Sequence, residues 1–146
     1  MKFNMTNKEY NEYVKGKSPN SNTLKDCIWA FIIGGTICTV GQFVNIYFTS
    51  RGLSKEIAST LTSVTMIFLG SLLTGLNVYD DIAKYAGAGT IVPITGFANS
   101  IVSSAMEFKS EGYVMGLGAK MFTIAGPVIV FGVIVSVVCG LIYYII

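Results

Sequence analysis

Residues 86–106 read AGAGTIVPITGFANSIVSSAM, and this stretch gives the clearest indication of how the chain folds. It is uncharged and long enough to span a bilayer, but twelve of its 21 residues are Gly, Ala, Ser or Thr. Pro93 and Gly96 lie near its middle, where a proline would remove a helical hydrogen bond. Non-helical backbone at membrane depth is tolerated only where protein or a water-filled cavity surrounds it. We therefore predict two half-helices that meet at a break over Val92–Gly96.

The remaining sequence predicts an all-α integral membrane protein around that segment. Hydrophobic residues make up 52% of the 146 residues and charged residues only 12%, against ~25% charged residues in soluble domains. The charges are clustered and leave uncharged stretches that reach the ~20 residues a membrane-crossing helix needs. Three of these stretches predict transmembrane helices, at about 27–49, 57–79 and 121–146. Residues 27–146 thus form the predicted membrane domain, after a polar, cytosolic N-terminal arm at 1–26.

The distribution of basic residues indicates which side of the membrane each segment faces, because cytoplasmic segments are enriched in Lys and Arg. Five lysines in the arm predict a cytoplasmic N-terminus. If residues 86–106 enter and leave on the same side, eight basic residues lie inside and two outside. If the segment crosses fully, the numbers are six and four. The distribution therefore favours three transmembrane helices plus a central re-entrant segment, with four spans as the alternative.

A break at membrane depth would expose backbone groups that suit ions. The N-terminus of a half-helix presents unpaired N–H groups that suit anions, whereas free carbonyl groups suit cations. Weak contacts with several neutral groups suit conduction better than tight binding to a buried Arg or Lys. The predicted pathway residues in this segment are Thr90, Pro93, Thr95, Gly96, Asn99 and Ser100.

Polar and small residues in the first and last spans add further candidates. Gln42 and Asn45 lie on one helical face. Either they form hydrogen bonds between helices, since lipid offers buried amides no partner, or they line a water-filled path and join the predicted pathway. In the last span Gly132, Ser136 and Gly140 recur every four residues and predict close helix packing.

Charged residues on both sides of the broken segment form a candidate vestibule. They are Asp80, Asp81, Glu107, Lys109 and Glu111. The alternative for the two adjacent aspartates is a solvated helix end, because successive helical residues point about 100° apart and do not converge. The alternative for the residues after the segment is a solvated amphipathic stretch.

The sequence contains no constellation typical of catalysis or metal binding. It has no histidine, which removes the commonest general base and metal ligand. Its three cysteines lie in hydrophobic stretches without CxxC spacing, which argues against a disulfide framework and a zinc site. Its lysines form no stripe with interleaved aromatic residues of the kind that binds nucleic acid. We therefore expect no enzymatic activity, no cofactor or metal, and no nucleic-acid partner.

Several stretches of the chain are recognisable as a family signature. The longest is LLTGLNVYDDIAKYAGAGTIVPITGFANSIVSSAMEFKSEG at Leu72–Gly112. It resembles the signature of the SpoVAC/SpoVAEB family of spore membrane proteins. GLGAKMFTIAGPVIVFG at Gly116–Gly132 and AFIIGGTICTVGQ at Ala30–Gln42 extend the resemblance over most of the chain, and the arm at 1–26 matches least.

The resemblance implies a subunit of a channel or transporter that moves dipicolinic acid, with calcium, across the spore inner membrane. It also implies tension-gated behaviour for one branch of the family. The implied partners, besides the lipid bilayer, are an AE-type paralogue in the membrane and a soluble AD-type subunit. The cytoplasmic N-terminus would then face the spore core. The alternative function is a non-conducting structural scaffold in a spore membrane complex.

Overall fold

The computed structural model describes residues 6–17 and 22–146, and every regular element in that part of the chain is helical. Residues 1–5 and 18–21 of the predicted arm lie outside the described residues. The α-helices are α1 (Asn7–Lys17), α2 (Thr23–Ser50), α3 (Lys55–Gly75), α4 (Val78–Ala86), α5 (Pro93–Glu107) and α6 (Ala119–Ile145). Shorter turns of 3-10 helix lie at Gly87–Thr90 and Phe108–Glu111, and a π-helical turn lies at Tyr113–Gly118.

Three helical stretches are long and apolar enough to cross a membrane, which agrees with an all-α integral membrane protein. They are Thr23–Ser50, Lys55–Gly75 and Tyr113–Ile145. The first begins before the predicted residue 27, because the Asn22 side chain accepts a hydrogen bond from the Lys25 N–H and caps the helix there.

The second span is shorter than predicted, which corrects the expected boundary at residue 79. Helix α3 ends at Gly75, and Asn77 adopts a left-handed conformation with φ of 59° before α4 begins. Asparagine is one of the few residues besides glycine that visit this conformation routinely. Asp80 and Asp81 therefore belong to the first turn of α4 and not to the end of a transmembrane helix.

Helices α2 and α3 pack against each other in antiparallel directions. A Cβ added at Gly41 would lie 3.9 Å from the Met66 sulfur, so the small residue of α2 receives the large side chain of α3. One turn further along α2, the Asn45 amide donates a hydrogen bond to the Thr62 hydroxyl at 3.2 Å. Rising residue numbers in α2 thus pair with falling numbers in α3.

The central segment is broken, but the break lies nearer its start than predicted. The chain leaves the Gly87–Thr90 turn, is non-helical at residues 91–92 and begins α5 at Pro93. Pro93 takes the first position of the helix, where its fixed φ suits the helix and its missing N–H costs no hydrogen bond. Gly96 lies inside α5, so the expected break over Val92–Gly96 is corrected to residues 91–92.

Helix α5 runs parallel to α3. A Cβ added at Gly70 would lie 3.2 Å from the Thr95 carbonyl oxygen, and the Thr74 hydroxyl lies 2.9 Å from the Asn99 side-chain oxygen. Residue numbers rise together in the two helices, so α5 ends on the same side as α3. Thr95 is level with Gly70, and α3 continues from there to Gly75. At a rise of ~1.5 Å per residue, Thr95 therefore lies ~8 Å inside the C-terminal end of α3. The break therefore sits within the helical bundle and not at its rim.

Helix α6 starts beside the end of α5 and then leaves the rest of the described chain. The Lys120 ammonium lies 4.0 Å from the centroid of the Phe108 ring, and α6 contacts α5. From residue 127 onward every residue of α6 is exposed. The predicted packing stripe of this helix is Gly132, Ser136 and Gly140. A Cβ added at either glycine would meet nothing within 4 Å, so the stripe has no partner among the described residues.

Candidate functional site

The break opens onto a cavity of about 400 Å³ along α5. The lining residues are Thr90, Ile91, Pro93, Gly96, Phe97, Asn99 and Ser100. Small-molecule sites typically have volumes of ~300–1,000 Å³. The cavity therefore brings together five of the six pathway residues predicted in this segment, whereas the sixth, Thr95, is buried against α3.

Thr95 belongs instead to a buried group of polar side chains with Tyr79 and Thr90. The Tyr79 hydroxyl donates a hydrogen bond to the Thr90 carbonyl oxygen at 3.0 Å and lies 3.2 Å from the Thr95 hydroxyl oxygen. The three residues are only 3%, 7% and 4% exposed, so water does not replace a lost partner. A buried polar group without a partner costs ~1–3 kcal/mol. One tyrosine of α4 therefore binds residues on both sides of the break.

A second, more polar cavity of about 240 Å³ lies between α5 and the corner from α3 to α4. The lining residues are Thr74, Asn77, Asp80, Asn99, Ser103 and Met106. Asn99 lines both cavities, with its side-chain oxygen 2.9 Å from the Thr74 hydroxyl. The lining residues of α5 recur three or four positions apart, as expected for one face of a helix. The two cavities thus meet at one amide on that face.

The N-terminus of α5 has no side-chain cap at the break. Its first backbone hydrogen bond runs from the Gly96 N–H to the Val92 carbonyl oxygen at 2.8 Å. Because the first N–H groups of a helix lack intrahelical acceptors, this end has positive dipole character. The residues that line the larger cavity carry no charged side chain. The helix dipole at this end favours an anion over a cation.

Gly96 contributes to the closure of the break as well as to the cavity wall. A Cβ added there would lie 2.7 Å from the Thr90 carbonyl oxygen and 3.3 Å from the Ile91 Cα. Any larger side chain would push α5 away from the preceding turn. Substitution of Gly96 would therefore test the packing of the break before it tested a pathway.

Gln42 and Asn45 lie outside both cavities. Asn45 is half-buried and bonds Thr62 of α3, the arrangement expected if it joins helices. Gln42 is exposed on α2, and its side chain forms no hydrogen bond within the described part of the chain. Neither residue contacts the broken segment through a hydrogen bond, so the fold separates them from the other pathway candidates.

Among the predicted vestibule residues, Asp80 alone lines one of the cavities described above. The Lys84 ammonium lies 3.6 Å from the Asp80 carboxylate and 2.8 Å from that of Asp81. The hydrogen bond to Asp81, helped by the charges of both carboxylates, raises the pKa of Lys84. The remaining candidates are Glu107, Lys109 and Glu111. All three are exposed, with Glu107 at the end of α5 and the other two after it, and they take part in no ion pair within the described residues.

Sequence reasoning missed Tyr79, Thr74 and Ser103. The position of Tyr79 at the end of an apolar stretch is typical of an aromatic residue at the membrane interface, which conceals its buried role. Thr74 did offer a signal, because a polar side chain inside a span needs a partner. Ser103 lies one turn beyond Asn99 on the same face of α5. Within the described residues, no three His, Cys, Asp or Glu side chains are grouped so that they could hold a metal ion.

The chain is similar to known proteins over nearly all of the elements described above. The family model described as SpoVAC/SpoVAEB sporulation membrane protein matches residues 26–142. The chain is also similar to stage V sporulation protein AC of Bacillus subtilis (strain 168). The two sequences are 43% identical over 143 residues, which cover 96% of this chain and 95% of the relative. No solved structure matches the chain. The matched region includes the break and all residues that line the two cavities beside it.

Proposed function

The chain belongs to the SpoVAC/SpoVAEB family of sporulation membrane proteins, and on that premise we propose that it is a subunit of a channel or transporter for dipicolinic acid. In this proposal the acid moves, with calcium, across the spore inner membrane. The observation that carries the proposal is the uncapped N-terminus of α5 beside the larger cavity.

The chemistry of that cavity suits a small, planar dianion such as dipicolinate. The N–H groups and dipole of a helix N-terminus attract anions. With neutral groups alone around it, such an anion is held weakly, and weak contact at several places is what conduction requires. The Asn99 amide, which lines both cavities, would contact the anion as it moves from one cavity to the other.

The parallel directions of α3 and α5 support a re-entrant topology for residues 86–106. With 15 residues, α5 is only ~22 Å long, which is too short for a hydrocarbon core of ~30 Å. In this topology α4 starts and α5 ends on the side where α3 ends. The N-terminal arm would share that side, which would be the spore core, as the basic residues predict.

The exposed helices support a role inside a larger complex. Helices α2 and α6 contain no buried residue, so the described chain does not enclose a pore with its three long helices. In the proposed complex an AE-type paralogue completes the pathway in the membrane, and a soluble AD-type subunit binds on one side. The lipid-exposed faces of α2 and α6 would let membrane tension act on the chain and open the pathway.

Vesicles loaded with dipicolinate test the proposed pathway. The protein is reconstituted with its paralogue, and release of dipicolinate is followed after an osmotic downshift. We expect Asn99→Leu to slow release about tenfold or more, because it removes the amide shared by both cavities. The Thr74 hydroxyl keeps a hydrogen bond to the Gly70 carbonyl oxygen at 2.7 Å, so this variant should still fold.

The control for this experiment is Val64→Leu, which changes a side chain of α3 that is 57% exposed. It should release dipicolinate as the wild type does. If Asn99→Leu and wild type release at the same rate, the cavities beside α5 are not the pathway.

The close glycine contacts favour the scaffold as a second candidate function. Gly70 faces Thr95 and Gly89 faces Ala30, so part of the small-residue content of the chain serves helix packing. A scaffold predicts that the wild-type complex retains dipicolinate under any downshift that leaves the vesicles intact. Release by the wild-type complex, but not by vesicles without it, excludes the scaffold.

A further inference from the structure

The two sides of the break share a polar anchor, the hydroxyl of Tyr79. It lies 3.0 Å from the Thr90 carbonyl oxygen before the break and 3.2 Å from the Thr95 hydroxyl oxygen after it. Of the four residues between Thr90 and Thr95, Ile91 and Val92 belong to no helix. Tyr79 itself is on α4 and is 3% exposed, so its position is fixed by its surroundings.

This arrangement makes the shape of the larger cavity depend on Tyr79. Thr90 and Ile91 form one wall, and residues 93–100 contribute the other. Rotation of the backbone at residues 91–92 would change the separation of the walls. The contact of Gly96 with the Thr90 carbonyl group keeps the two walls of the cavity from moving closer, but it does not keep them from moving apart. The hydrogen bonds of Tyr79 are directional and resist separation.

We propose that Tyr79 is a positioning residue that latches the two sides of the break together and keeps the cavity at its present size. When the latch opens, the walls separate and the cavity widens. Tyr79 is not among the residues that line the cavity, so it acts through Thr90 and Thr95. The consequence for passage of an anion rests on the proposed function, but the latch itself does not.

Amide hydrogen exchange of the full chain in nanodiscs tests the latch without reference to transport. Tyr79→Phe removes one hydroxyl group, and Tyr85→Phe removes the same group from a side chain of α4 that is 71% exposed. We expect Tyr79→Phe to speed exchange at residues 90–96 about tenfold, because it removes the hydroxyl that contacts both sides of the break. Exchange in α3 should stay as in the wild type, and Tyr85→Phe should change neither region.

Unchanged exchange at residues 90–96 in a folded Tyr79→Phe variant would overturn the latch. If this variant exchanges rapidly throughout α3, it has not folded, and Thr95→Val then serves as the test. Thr95→Val removes one of the two contacts of Tyr79 and should speed exchange at the break by a smaller factor. Exchange at the break that is the same in Thr95→Val and wild type would equally overturn the proposal.

Release from vesicles separates the latch from the proposed function. We expect Tyr79→Phe to release dipicolinate after a smaller osmotic downshift than either wild type or Tyr85→Phe requires. Release by the wild type, with the same threshold in Tyr79→Phe, would overturn the effect of the latch on passage and leave the proposed function standing. If the wild type releases nothing, the proposed function is contradicted, and the exchange experiment still decides whether Tyr79 holds the break together.

Discussion

Gly89 lies against the backbone of Ala30, so closely that a Cβ added at Gly89 would collide with the Ala30 carbonyl oxygen and lie 2.8 Å from the Ala30 Cα. This contact joins the turn before the break to α2, and Gly34, one turn along α2, faces the same glycine. We expect Gly89→Ala to force the two segments apart and to lower the free energy of unfolding by about 1–3 kcal/mol. Denaturant or thermal unfolding of the protein in detergent measures this change.

Gly35→Ala is the matched control, because a Cβ at Gly35 would meet nothing within 4 Å. An alanine inside a helix is ~0.5–1 kcal/mol more favourable than a glycine, so this variant should be as stable as the wild type or slightly more stable. Equal losses of stability in both variants would show that the contact with Ala30 is not the cause.

The two amides of α2 should respond differently to substitution. Asn45→Leu removes the hydrogen bond to Thr62 at 3.2 Å, and we expect it to lower the free energy of unfolding by about 0.6–2 kcal/mol. Gln42→Leu removes an exposed amide that has no partner in the described chain, so the isolated chain should not lose stability. Unfolding of both variants in detergent checks the contrast. A larger loss for Gln42→Leu would mean that Gln42, and not Asn45, is the amide that joins helices.

The sequence predicts the membrane-spanning helices well because the hydrophobic pattern depends only on composition and length. It predicts their ends less well. The α3 helix stops at Gly75 because of a turn at Asn77. Asparagine suits the left-handed conformation of that turn, but one asparagine in an uncharged stretch that continues to Tyr79 does not by itself predict a helix end. Pro93 predicts an interruption, but a proline suits both a kink inside a helix and the first position of a new one.

The candidate site shows the same limit. The small residues and amide of the broken segment predict a cavity, and five of them line it. The hydrogen-bond partners of the broken segment lie elsewhere in the chain. Tyr79 is 11 residues from Thr90 and 16 from Thr95, and Thr74 is 25 residues from Asn99. Periodicity describes neighbours within one helix, so it does not predict which helix a broken segment will contact. The separation of Gln42 and Asn45 from the cavities has the same cause.

Thr6 and Glu9 form a capping box at the start of α1, and this box predicts a pH dependence for the N-terminal arm. The Thr6 backbone N–H donates a hydrogen bond to the Glu9 carboxylate at 2.8 Å, and this bond lowers the pKa of Glu9. A group whose pKa is lowered by folding contributes stability above its unfolded pKa, and that contribution is lost as the pH falls through the folded pKa. We therefore expect the helicity of α1, measured by NMR chemical shifts, to fall as the pH drops below ~4.3.

Glu9→Gln is the control for this dependence. Glutamine also closes a capping box but does not titrate, so the helicity of α1 in this variant should change little between neutral and acidic pH. If the variant and the wild type lose helicity in parallel, the dependence arises from another group.

Cysteine labelling tests whether the broken segment re-enters the membrane or crosses it. Single cysteines are introduced at Glu12 in α1, at Lys55, the first residue of α3, and at Tyr113, whose side chain is 76% exposed after α5. The native cysteines that are first replaced by serine are Cys27, Cys38 and Cys139. Because α5 runs parallel to α3, we expect a membrane-impermeant reagent to reach Tyr113→Cys from the same side as Glu12→Cys and Lys55→Cys from the opposite side. Labelling of Tyr113→Cys together with Lys55→Cys would establish four spans and contradict the re-entrant topology.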